Sequence, residues 1–160
     1  MQTEILEKAL AAIGDRTPML TDCGVRCGAA CCEPDEDGQG GVYLFPGEEA
    51  LIVEPSWGHI ENTGFAPMLV CEGFCDRALR PLACRIFPLT PAKNAEGKWT
   101  VRMDIRAQAM CPLTRYGVRG LDPEFVRGVI RAIRIIAKDP EGLAFLERWE
   151  ALEAQYRFEL

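Results

Sequence analysis

Residues 23–32 read Cys-Gly-Val-Arg-Cys-Gly-Ala-Ala-Cys-Cys, placing Cys23, Cys27, Cys31 and Cys32 in a C-x3-C-x3-C-C pattern. Downstream, Cys71, Cys75 and Cys84 form C-x3-C-x8-C, and Cys111 completes a set of eight. Cysteines scattered through an ordinary core would not repeat such short intervals. Thiols grouped this way suit soft metals, disulfide frameworks or redox chemistry.

Geometry limits what the first group can do. Four thiolates around zinc, each about 2.3 Å from it, lie roughly 4 Å from one another. On a straight helix Cys23 and Cys31 would be about 12 Å apart along the axis. The segment must therefore loop or break, or its cysteines serve different sites. Gly24 and Gly28 favour a looped path. Cys31 and Cys32 diverge in extended backbone, so they serve two metals or only one of them is a ligand. Cys23/Cys27, Cys27/Cys31 and Cys71/Cys75 satisfy the spacing of zinc motifs, and iron–sulfur clusters use sets of four cysteines at comparable intervals. Zinc and iron both stay open as the cofactor, as do one site and two. Clustered thiolates need cationic or N–H neighbours, and Arg26, Arg80 and Arg85 lie close by in sequence. The one histidine, His59, reads as a loop residue, which argues against mixed Cys/His fingers.

The chain has 160 residues and a formal charge of −6. The length suits one domain over 1–160, divided into a cysteine-cluster region at 15–113 and a helical region at 121–158. The acidic balance argues against general nucleic-acid binding. No apolar run is long enough to span a bilayer, and Met1–Gly14 lacks the basic head and continuous apolar stretch of a signal peptide. A cytoplasmic location is expected, and there reduced thiols outweigh disulfides. The partner, protein or small molecule, is not specified.

Around the cysteines the pattern predicts an α+β fold: short strands and an irregular cysteine-rich core packed against an N-terminal and two C-terminal helices. Ile5, Leu6, Ala9, Leu10 and Ile13 have helical spacing, with Gly14 as a stop. Glu33–Gly41 reads as an exposed loop and Val42–Phe45 as a strand. Pro46, Glu48 and Glu49 suit the first turn of a short helix that Pro55 limits. Met68–Cys71 reads as a strand. Residues 92–98 form a hairpin turn joining Phe87–Leu89 to Trp99–Ile105, with Thr100, Arg102 and Asp104 facing outward. Asp122-Pro123-Glu124 and Asp139-Pro140-Glu141 are twin helix starts. They lead into apolar stripes at Phe125, Val129, Ile130, Ile133, Ile136 and Ala137, and at Leu143, Leu146, Trp149, Leu152 and Tyr156.

Arg80–Pro88, R-P-L-A-C-R-I-F-P, resembles a motif of the YkgJ-type (CxxCxxCC) cysteine-cluster family when taken with the leading cysteines, Cys71, Cys75 and Cys111-Pro112. The likeness spans roughly residues 20–113 and follows the order of all eight cysteines. Each interval of the opening cluster is one residue longer than the family's name implies, and Cys71 and Cys75 are unusually close. The resemblance implies a zinc- or iron-chelating domain with no established reaction. It implies metal ligands at Cys23, Cys27, Cys31, Cys32, Cys71, Cys75, Cys84 and Cys111, and a short acidic helix at Pro46–Leu51. A related region in flagellin lysine methylases keeps an iron–sulfur enzyme, in redox or methyl-transfer chemistry, as an alternative. A thiol-redox switch at Cys31 and Cys32 is another. The sequence carries no Gly-rich phosphate loop and no G-x-S-x-G, and whether the protein is an enzyme stays open.

Overall fold

The computed structural model describes residues 1–33, 40–52, 56–71, 75 and 77–158. Most of the predicted loop at Glu33–Gly41, and Pro55, lie outside them. The fold is α+β, with five helices and two small antiparallel sheets among the described residues.

Helix α1 spans Thr3–Ile13 and buries Leu6, Ala9 and Ile13, one face of a 3.6-residue period. It ends at Gly14, whose N–H bonds the Leu10 carbonyl at 2.9 Å. Helix α4 (Pro123–Ile136) lies against it and buries Phe125, Gly128, Val129, Ala132, Ile133 and Ile136. The two backbones meet at Gly128, where a Cβ would sit 2.9 Å from the Ala12 carbonyl oxygen. Helix α5 (Pro140–Phe158) completes the helical body. Both predicted starts are present. The Asp122 carboxylate accepts from Phe125 N at 2.8 Å, and that of Asp139 accepts from Glu141 and Gly142 N at 3.0 Å each. Such caps satisfy N–H groups the first helical turn leaves orphaned.

The α5 stripe departs from expectation. Leu146 and Trp149 are buried, but Tyr156 is 41% exposed, and Phe145 and Glu153 take the inward positions. Glu153 is drawn inward by Arg106, whose guanidinium also holds Asp104 at 2.6 Å and stands 3.3 Å from Glu153. Asp104 is therefore buried, not outward-facing, and the strand ends before it.

Strands β1 (Gly41–Tyr43), β2 (Gly58–Asn62) and β3 (Pro67–Cys71) form one sheet in the order β1-β3-β2, with β3 central. Strand β2 has no counterpart among the predicted elements. It places His59 on an edge strand, not in a loop, with its ring 2.9 Å from Glu61. The Val42–Phe45 strand is shifted to Gly41–Tyr43. Phe45 leaves it to stack on Trp149 at 5.5 Å and to meet Phe145 at 5.0 Å, which fastens this sheet to α5.

The hairpin of β4 (Leu89–Lys93) and β5 (Trp99–Met103) forms the second sheet, in register from Leu89↔Met103 to Lys93↔Trp99. Its first strand begins later than predicted, at Leu89 and not Phe87, and follows a short helix, α3, at Leu82–Ile86. The turn closes through Asn94, whose side chain accepts from Glu96 and Lys98 N. Arg134 of α4 donates to the Trp99 carbonyl at 2.9 Å, and Glu150 of α5 accepts from Lys93 N at 2.9 Å. One hydrophobic cluster unites α1, α3, α4, α5 and both sheets. No helix among the described residues is long and apolar enough to cross a membrane.

Candidate metal centre

Helix α2 (Cys23–Cys27) starts at Asp22, whose side chain accepts from Gly24 N at 3.0 Å. Gly24 is thus helical and capped, not looped. The break falls at Gly28 and Ala29, both left-handed, with φ +65° and +59°. Glycine adopts this conformation freely, whereas for alanine it costs roughly 1–2 kcal/mol. The reversal feeds a 3-10 turn at Ala30–Cys32 and takes Cys31 and Cys32 off the face of Cys23 and Cys27. The expected break is present, one turn later than Gly24.

The other thiols arrive on separate elements. Cys71 ends β3, Cys75 follows it, Cys84 sits inside α3, and Cys111 precedes a turn at Pro112–Tyr116. Electrostatic neighbours divide them into two groups. Cys84 is surrounded by Cys71, Cys32, Cys75 and Arg80, and Cys71 by Cys75 and Cys32. Cys111 has Cys27 as its thiol neighbour, and both line a cavity with Cys23, Cys31 and Cys32. The adjacent pair Cys31 and Cys32 joins the two groups. All eight cysteines are free thiols, and only Cys31 is exposed.

Arg80 is the cation of the first group. Its Nε donates to Cys75 Sγ at 3.2 Å, with Cys32 and Cys84 in its field. Arg85 behaves differently. Its guanidinium bonds the carbonyls of Arg80 (2.9 Å), Ala78 (2.8 Å) and Gly14 (3.4 Å), bracing the loop that presents Arg80. Arg26 is exposed on the cavity wall.

The thiols do not share one acidity. A hydrogen bond from Cys31 and the nearby Arg80 charge bring Cys32 down to about 6, against the opposing effect of burial. Cys31 holds the shared proton and is pushed up. Burial raises Cys71 to about 11, and it drives Cys84 and Cys111 upward too. A buried thiol that resists ionisation in water's absence ionises readily on a metal, because the cation's charge reverses the balance.

Glu48 is a member of this architecture that sequence reasoning misplaced. It begins a 3-10 turn (Glu48–Ala50) after Gly47, not an α-helix starting at Pro46, and it is only 2% exposed. Its carboxylate accepts from Phe45 N at 2.9 Å and from Leu82 N at 2.6 Å. Leu82 opens α3, so Glu48 caps the helix carrying Cys84. No local signal connects residues 34 apart in sequence.

As a donor set the thiols match soft metals such as zinc and iron. Among the described residues, however, no three His, Cys, Asp or Glu side chains are placed so that they could hold a metal ion. Comparison of the chain with protein-family models, with curated proteins and with solved structures finds no match.

Proposed function

We propose that this chain is a cytoplasmic metal-binding protein that chelates zinc or iron, an iron–sulfur cluster included, through its clustered cysteines. One observation carries the reading. Reduced thiols from segments as far apart as residues 23–32, 71–75, 84 and 111 gather in one region, with a guanidinium donating to one sulfur. Packing alone gives no reason for this. The likeness to the YkgJ-type family, carried by the cysteine order and by Arg80–Pro88, points the same way.

A structural zinc site supplies on the order of 10 kcal/mol, enough to draw such thiols together. Bound metal would join the opening cluster to the segments that carry the other thiols. Cys32, Cys75 and Cys84 lie in the field of Arg80, with Cys71 in that of Cys84, and these four would be the first candidates to hold it.

Anaerobic purification followed by elemental analysis and an absorption spectrum is the test. Near-stoichiometric zinc in a colourless sample supports a zinc centre, and iron with a broad band near roughly 400 nm supports a cluster. Metal-free protein whose eight thiols alkylate equally fast with and without added zinc defeats the proposal.

A second reading, a thiol switch, is favoured by the Cys31–Cys32 hydrogen bond and the acidic Cys32 thiol. It requires peroxide to act on this pair before the other cysteines, as measured by mass spectrometry.

A further inference from the structure

The cavity beside the thiols has features that metal binding does not use. Its volume is about 700 Å³, within the range of small-molecule sites. Its walls include Met19, Leu20, Phe87, Pro88, Leu113 and Tyr116, so they are mostly apolar. Leu20 is 93% exposed and Tyr116 is 62% exposed. Both therefore present apolar surface to water among the residues that line the cavity.

The charges around this cavity contradict the chain as a whole. The protein carries −6, yet the ionised side chains lining the cavity are Arg26, Arg80 and Arg115 against Asp122 and the acidic Cys32 thiol, which lies in the field of Arg80. Asp122 is committed to the α4 cap, and Arg80 to Cys75. Arg26 and Arg115, both exposed, line the cavity and are the two arginines with no such commitment to a sulfur. Arg115 is held there, since its Nε donates to the Pro112 carbonyl at 3.2 Å and its guanidinium lies 5.8 Å from the Tyr116 ring centre. The neighbouring cleft has the opposite sign, with Asp15, Asp22, Glu124 and the shared Asp122 against Arg16. The field thus changes direction across Met19–Thr21.

We propose that the cavity binds a small organic anion with an apolar body, the anionic group held by Arg26 and Arg115 and the body lying on Leu20, Leu113 and Tyr116. A carboxylate, sulfonate or phosphate fits guanidinium geometry, and the apolar walls exclude a bare inorganic ion as the matched ligand. The site adjoins Cys27 and Cys111, so an occupant shields those thiols. The proposal goes beyond metal binding, and it rests on the placement of α2, which carries both Arg26 and Cys27.

The test uses two fluorescent probes on the full chain: 8-anilinonaphthalene-1-sulfonate and its uncharged counterpart N-phenyl-1-naphthylamine. The sulfonate is expected to bind tighter, to weaken with added salt and to slow alkylation of Cys111. Arg26→Gln and Arg115→Gln should each weaken it about three- to tenfold, the range of a charge-assisted contact at an exposed position, and leave the neutral probe unchanged. Arg131→Gln, an exposed arginine on α4, is the control. Equal affinity for both probes, an equal loss in the Arg131 variant, no protection of Cys111 or no binding of either probe would overturn the proposal. Metal content measured on the same samples keeps its fate separate from that of the metal-binding reading.

Discussion

Replacing Glu48 tests how the fold fixes the Cys84 segment. Its carboxylate satisfies two buried N–H groups, Phe45 and Leu82, and burial raises its pKa to about 7 against the two hydrogen bonds that lower it. Glu48→Ala orphans both donors. At about 1–3 kcal/mol for each unsatisfied buried group, the loss is about 3 kcal/mol when part is recovered by entering water. Glu48→Gln keeps one acceptor and turns an amide NH2 toward the other donor.

The pH dependence distinguishes this account from simple loss of packing. An unfolded glutamate titrates near 4.5, so between pH 4.5 and 7 the folded chain binds the extra proton. Stability from this group is full below the unfolded pKa and falls as pH rises to about 7, by about 3 kcal/mol for a shift of this size. Above that it is flat. Glutamine does not titrate and has no such dependence. In urea melts the wild type should therefore lose stability relative to Glu48→Gln as pH rises from about 4.5 to 7.5. Alkylation of Cys84, followed by mass spectrometry, should accelerate in Glu48→Ala as the start of α3 loosens. Parallel pH profiles for the wild type and the glutamine variant would refute the reasoning.

Two further perturbations probe the helical body and the thiols. Gly128→Ala should lower thermal stability, because a Cβ 2.9 Å from the Ala12 carbonyl forces α1 and α4 apart. Overpacking costs about 1–3 kcal/mol against a helix-propensity gain of about 1, and a melting temperature at or above wild type would contradict the packing. Arg80→Gln removes the donor to Cys75 and the charge that helps hold Cys32 at about 6, so the alkylation pH profile of Cys32 should move upward; an unmoved profile would assign its acidity to Cys31 alone.

The helices were legible because their information is local. Asp122 and Asp139 sit directly before proline, and the α1 and α4 faces repeat every three to four residues. What failed depended on partners distant in sequence. Asp104 alternates like an outward residue, yet Arg106 holds it inside, bridging it to a second buried carboxylate, Glu153. Tyr156 continues a helical stripe past the point where Glu153 has taken the inward position. Strand β2 reads Gly-His-Ile-Glu-Asn and is half exposed at an edge, so it carries little apolar alternation. Helix α3 has five residues, too few for a period, and its cap arrives from Glu48. Sequence identified which residues carry thiols, but their division around Arg80 and along the cavity arises only from packing.

The distribution of buried surface gives the first four thiols little anchorage from the core. Helices α1 and α4 bury apolar residues at about 1.5–3 kcal/mol each, and α3 buries Leu82, Ala83 and Ile86 beside Cys84. Helix α2 and the 3-10 turn at Ala30–Cys32 bury no residue at all, although four cysteines lie there. Their backbone instead passes through two consecutive left-handed residues, one of them an alanine. A segment with so little hydrophobic anchorage and this conformational cost opens at a low free energy. The groups able to fasten it are its own sulfurs, facing Cys71 and Cys84 on one side and Cys111 on the other. A metal centre would thus supply to residues 23–32 the stability that apolar packing gives the helices. Its removal should release this segment to hydrogen exchange while α4 and α5 keep their protection.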